Sequence, residues 1–112
     1  MAGISVEQLD TDSFSTALAR ERGLLIVYFH APWCRPCKTM KPVFMKLADE
    51  LFIHDANFAE VNIAVSPTIA QMYGIRSVPS IAIFRGHMLA AIIAGDMPFD
   101  QLVQRMKHEL SL

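Results

Sequence analysis

Cysteine is scarce in this 112-residue chain. There are two, Cys34 and Cys37, too few for the disulfide framework of a small secreted protein. Charge of one sign is not in excess either. Ten Lys and Arg face eleven Asp and Glu for a net charge of −1, so nothing in the electrostatics favours nucleic acid or an anionic membrane as partner. No apolar run approaches the ~18 residues of a membrane span. Met1 to Asp12 carries acidic side chains and no basic, apolar leader. The expected location is therefore cytoplasmic, where a reducing poise suits catalytic rather than structural cysteines. Neither a G-x-G-x-x-G nor a Walker loop occurs, so no bound nucleotide or flavin is expected. His54, His87 and His108 are scattered, which argues against a metal cluster. Repeats, low-complexity tracts and linkers are missing. What remains is 53% hydrophobic and of common domain size, expected to form one domain over residues 1–112 and to act as a monomer.

The two cysteines stand two residues apart in Trp33-Cys34-Arg35-Pro36-Cys37, where an apolar run ends and a helical pattern begins. Residues three apart on a helix have Cβ atoms roughly 5–6 Å apart, and a tightened first turn brings them within the roughly 3.5–4.5 Å a disulfide needs. Dithiol and disulfide can then interconvert with little backbone movement. Cys34 falls where the first helical N–H groups lack partners and the helix dipole is positive, both of which stabilise a thiolate. Since thiolate is the attacking species, Cys34 is the expected nucleophile. Cys37, one turn inside, is expected to be more buried and to resolve the mixed disulfide. Pro36 loses no helical hydrogen bond there, and Arg35 adds a nearby positive charge. The alternatives are a structural disulfide, which across so short a loop constrains the unfolded chain little, and half a zinc site, which lacks its second pair.

Along the chain, Ile4 to Leu9 alternates as an edge strand, and Asp12 or Ser13 caps a helix to about Ala19, with Phe14, Ala17 and Leu18 inward and Gly23 after its end. Leu24 to Phe29 reads as a central strand buried on both faces. The next helix spans about Cys34 to Leu51, with Met40, Val43, Phe44, Leu47 and Leu51 inward and Pro42 bending or interrupting it. Phe58 to Ile63 is a further buried strand, and Ser66 or Pro67 starts a helix that stops before Gly74. Ile81 to Phe84 and Met88 to Ile93 form a hairpin over Arg85-Gly86-His87, and Pro98 opens a last helix with Phe99, Leu102, Val103 and Met106 on one side. Met40, Met45, Met72 and Met106 are expected as core filler. The order βαβαβα followed by ββα implies an α/β fold, a central mixed sheet with helices on both faces. In such sheets the site lies beyond the carboxyl ends of the central strands.

Ala31-Pro32-Trp33-Cys34-Arg35-Pro36-Cys37-Lys38, then Pro42, then Tyr73-Gly74-Ile75-Arg76-Ser77-Val78-Pro79-Ser80, and finally Gly95 follow one another in an order and spacing that resemble the thioredoxin family over nearly the whole chain. The resemblance implies a thioredoxin fold and a cis peptide bond before Pro79, with that proline facing the sulfurs. It implies that the backbone of Val78 pairs with an extended substrate segment, in the manner of strand addition. Trp33, Ile75, Val78 and Gly95 would form an apolar rim around Cys34; the alternative for Ile75 and Val78 is that they are merely core. It further implies disulfide-containing protein substrates and a thioredoxin reductase that supplies electrons from NADPH, the redox-active Cys34–Cys37 pair being the only redox group.

Three positions depart from the family pattern. Tyr28 stands where a buried aspartate is usual, and Glu60 where a lysine is usual. The expectation is that the carboxylate has moved strands, so that Glu60 accepts the Cys37 proton and Tyr28 orients it; the alternative is Glu60 as a solvated strand residue. His30 replaces a common aromatic, and its imidazolium could favour thiolate at Cys34, or the ring could simply be part-buried at a loop start. Arg35 replaces a glycine, which predicts a more oxidising couple because stabilising the Cys34 thiolate stabilises the reduced form. The expected activity is protein-disulfide reduction. The alternatives are a disulfide oxidase or isomerase, and a partner-binding or chaperone module with slow redox turnover.

Overall fold

The computed structural model describes residues 6–21, 23–50 and 56–111. Five strands and four helices follow in the order β1 (Val6–Leu9), α1 (Thr11–Arg20), β2 (Leu24–His30), α2 (Arg35–Glu50), β3 (Ala56–Asn62), α3 (Pro67–Met72), β4 (Ser80–Arg85), β5 (Met88–Ala94) and α4 (Phe99–Leu110). The sheet order is β1-β3-β2-β4-β5. β1, β3 and β2 run parallel, and β4 and β5 join antiparallel to them. This is the mixed sheet expected from the alternation of strands and helices.

β2 lies at the centre, paired on both sides, and its apolar run Leu24 to Phe29 is buried throughout. Alternation along the strand sends Leu24, Ile26 and Tyr28 to one core with Phe44 and Leu47 of α2 and Leu102 and Met106 of α4. Leu25, Val27 and Phe29 go to the other, with Phe14 and Leu18 of α1 and Ile69 of α3. The same alternation puts Phe58 and Glu60 of β3 on the α2 side, next to Ile26 and Tyr28 in register. The site-bearing layer is therefore fixed by β2 and β3 together.

Several local expectations are corrected. Asp10, not Asp12 or Ser13, caps α1. Its carboxylate accepts the Ser13 N–H at 2.9 Å, while Ser13 Oγ accepts the Asp10 N–H at 2.9 Å, a reciprocal capping box. Those bonds to Ser13 hold the Asp10 carboxyl below its ordinary value. α2 runs without interruption through Pro42. Met40 and Met106 are core, as expected, but Met45 and Met72 are exposed. The expectations for Ile4, Leu51 and His54 lie outside the described residues. Gly86 opens the two-residue β4–β5 turn at φ +61°, where glycine is needed.

Candidate active site

β2 ends at His30, and the chain turns through Ala31 to Cys34 before α2 begins. Cys34 N–H donates to the Ala31 carbonyl at 3.2 Å, which tightens this turn. Cys34 and Cys37 are joined as a disulfide with a Cα–Cα distance of 5.3 Å. The Cys37 N–H, one of the amides that a helix start leaves without an intrahelical partner, donates to Cys34 Sγ at 3.1 Å. An N–H aimed at that sulfur stabilises negative charge on it once the bridge opens.

Exposure does not separate the two cysteines, which are 5% and 4% accessible; Cys37 is not the markedly deeper one expected. Their surroundings differ instead. Cys34 receives the amide, whereas Cys37 lies over β2, where the Tyr28 hydroxyl donates to the Cys37 carbonyl at 2.8 Å. Arg35 and Pro36 are exposed, and Trp33 is 69% exposed beside the sulfurs.

Ala31, Cys34 and Cys37 form a small apolar cluster against which Val78 and Ile63 pack. The Val78–Pro79 peptide bond is cis, as the resemblance implied. Pro79 O accepts the Gly95 N–H at 2.9 Å, and Gly95 holds φ +93°, a left-handed value that favours glycine. Among the described residues the Val78 backbone makes no hydrogen bond, and Val78 is half-buried. Ile75 is buried in the core on the α1 side, a layer against which Val78 also packs. Ile63 was missed in the sequence; its N–H donates to His30 O at 2.9 Å, and this pairing of the β2 and β3 ends was the signal that places it beside the cysteines.

Beneath the first turns of α2 lies a polar group within the apolar layer. Glu60 is 5% exposed, with Oε1 3.1 Å from His30 Nε2 and 3.8 Å from Lys41 Nζ. Neither approach is an aligned hydrogen bond to Oε1, which has no such donor among the described residues. Glu60 is thus not a solvated strand residue. Lys41 sits one turn beyond Cys37 on α2, so Glu60 lies on the side of the sheet that this helix covers. The Tyr28 ring stacks between His30 and Phe44, at centroid distances of 5.2 and 5.1 Å. Its hydroxyl bonds Cys37 and not Glu60, contrary to the expected orienting role. Burial, and secondarily the charge of Glu60, push the Tyr28 phenol up to about 12. His30 is held below the ordinary imidazole value chiefly by burial, helped by Lys41, against the opposing pull of Glu60. That direction disfavours the imidazolium expected beside Cys34. Among the described residues no group of three or more His, Cys, Asp or Glu is placed to hold a metal ion.

This geometry has relatives. The thioredoxin family model matches residues 5–108. The thioredoxin of Pyropia yezoensis is 32% identical over 108 residues, covering 96% of this chain and 100% of that one. Thioredoxin M4, chloroplastic, of Arabidopsis thaliana is 33% identical over 109 residues, 97% of this chain; the chain spans only 56% of that relative's length. In three dimensions, the Malassezia sympodialis thioredoxin superposes with a TM-score of 0.82 at 26% identity, covering 97% of this chain and 96% of that one. A disulfide-forming Cys34–Cys37 pair at the start of α2, a cis Pro79 beside it and these matches together show that the chain belongs to the thioredoxin family, with Cys34 and Cys37 as its dithiol–disulfide oxidoreductase pair.

Proposed function

We propose that the protein reduces disulfides in other proteins in the cytoplasm and is itself recharged by a thioredoxin reductase drawing on NADPH. The observation that carries the direction of attack is the Cys37 N–H held 3.1 Å from Cys34 Sγ, which favours thiolate on Cys34. The substrate lies along Val78 as an added strand, its disulfide brought to Cys34 beside Pro79. Cys34 thiolate attacks one substrate sulfur. A Cys34–substrate bond forms, the substrate disulfide breaks, and the departing thiolate takes a proton. Cys37 then gives its proton to Glu60 and attacks Cys34 Sγ, releasing the second substrate thiol. Two electrons have passed to the substrate and the Cys34–Cys37 bridge remains.

Replacing Cys37 by Ser removes the resolving step alone. The Cys37→Ser protein is expected to accumulate a mixed disulfide with a disulfide-containing protein such as insulin, stable on a non-reducing gel, while Cys34→Ser traps none. Trapping by Cys34→Ser instead would reverse the assignment, and trapping by neither would remove the reductase reading.

A further inference from the structure

The parallel strands β1, β2 and β3 end together, and beyond their carboxyl ends lies a cleft of about 300 Å³ lined by Gln8, Asp10, His30, Glu60 and Asn62. Glu60 is the buried member, and Gln8 and Asp10 are exposed, so the cleft leads from Glu60 to solvent. His30 stands between, its Nε2 3.1 Å from Glu60 Oε1 and its side chain 21% accessible. The stacked Tyr28 ring fixes the plane of the imidazole. Oε1, without an aligned donor among the described residues, keeps its capacity to accept a proton.

We propose that His30 is a proton relay, passing the Cys37 proton from Glu60 into the cleft each time the mixed disulfide is resolved. The proposal rests on the reading of Glu60 as proton acceptor for Cys37. Among the described residues no hydrogen bond joins Glu60 to Cys37 in the disulfide form, and in the proposed relay that first transfer runs through water. The Cys37–Cys34 bond forms, the Cys34–substrate bond breaks, and the substrate sulfur leaves with the electron pair. The proton given up by Cys37 goes to Glu60, from Glu60 to Nε2 of neutral His30, and from Nδ1 to water. Both groups return to their starting charge, and the tautomer is reset by exchange with solvent. The ionisable neighbours are Lys41 on α2, Tyr28 on β2 and Asp10 at the start of α1. Lys41 Nζ lies 3.8 Å from Glu60 Oε1. Tyr28 stays protonated to about 12, and Asp10 is held by Ser13 at the outer end of the cleft. Of these groups, His30 is the one within 3.1 Å of Glu60 that can take up a proton on one ring nitrogen and release one from the other. It is a relay acting through Glu60, not a group that touches the sulfurs.

The test follows the fluorescence of Trp33 after the reduced full-length protein is mixed with oxidised glutathione. At saturating disulfide the rate no longer depends on concentration and reports resolution by Cys37. His30→Ala is expected to slow this phase at pH 7 by about tenfold, less than the roughly 10²–10⁴-fold worth of a whole acid–base group. Added imidazole is expected to restore the rate, with methylated imidazoles ranking by their basicity. Glu60→Gln is expected to be slow and insensitive to imidazole. A His30→Ala protein that resolves at the wild-type rate, or that is slow and indifferent to imidazole, overturns the relay. Should His30→Ala not fold, His30→Phe keeps the stacking on Tyr28. Its rate–pH profile is expected to lack an ionisation that the wild type shows below the ordinary imidazole value, and identical profiles overturn the proposal. Glu60→Gln at the wild-type rate removes Glu60 as acceptor and the relay with it, whereas a slow Glu60→Gln beside a normal His30→Ala removes the relay alone.

Discussion

Tyr28 occupies the buried position beneath Cys37, and its hydroxyl gives its proton to a carbonyl rather than to any carboxylate. The phenol therefore anchors the turn that carries Cys37, and the acid–base role is the one proposed above for Glu60 on the neighbouring strand. Tyr28→Phe is expected to cost about 1 kcal/mol at pH 8, the usual net worth of one internal hydrogen bond. The alkaline limb tests the same residue. The folded phenol titrates at about 12 against 10 for an ordinary tyrosine. The protonated form is thus favoured by folding, and that contribution is complete below pH 10 and lost as pH climbs toward 12. Urea unfolding of the wild type and of Tyr28→Phe at pH 8 and pH 11 should show the wild-type advantage shrinking at the higher pH. An unchanged difference would mean that the phenol is no harder to ionise in the folded protein. A tyrosine on β2 and a carboxylate on β3, where the family usually has an aspartate and a lysine, were readable from the chain, but the partnership of His30 with Glu60 was not. It depends on the β2–β3 register, which sets Tyr28 against Glu60 and His30 against Asn62. Local sequence does not contain that register.

At the scale of elements, the β2 run and the cysteine-bearing helix were legible because their burial is nearly uniform or strictly periodic. α2 buries Cys37, Met40, Phe44, Leu47 and Ala48, a spacing of three and four residues that admits one inner face. Met45 falls between those positions and points out. Met72 sits at the end of α3, six residues long and too short for its own period to say which side is covered. Pro42 was expected to disturb α2, yet it lies on the exposed side, where the Lys38 carbonyl it leaves without an intrahelical donor can be solvated. The start of α1 was placed late because Asp10, Asp12 and Ser13 are all competent caps. The structure uses two of them at once, one as cap and one as its reciprocal partner. Asp10→Ala is accordingly expected to lower the thermal midpoint by a few degrees while Asp12→Ala, which makes no capping bond, leaves it nearly in place. Equal effects of the two would argue that charge near the helix start, and not the capping box, is what counts. Ser66 is a second use of a polar residue at a helix start: its hydroxyl accepts the Thr11 N–H at 3.1 Å and ties α1 to α3.

Over the whole molecule, two apolar layers clamp a sheet whose central strand delivers Ala31 to Cys37 to one end, where β4 and β5 bring Pro79 and Gly95. The architecture and the identity of the cysteine pair were legible in the order of elements and in the motifs. The distribution of charge around the pair needed three dimensions. Burial disfavours the charged form of His30, whose Nε2 faces Glu60, and Arg35, the other cation expected near Cys34, is exposed and screened by solvent. The shift toward oxidising character that both were expected to produce is therefore expected to be small. The most direct measurement is the equilibrium reduction potential of Cys34–Cys37, read by thiol alkylation in defined dithiothreitol and glutathione buffers. A fully reversible two-electron couple is expected within about 30 mV of the roughly −270 mV of a reductant of this family. A value near the roughly −180 mV of a disulfide isomerase, or a bridge that does not re-form, would contradict a protein-disulfide reductase.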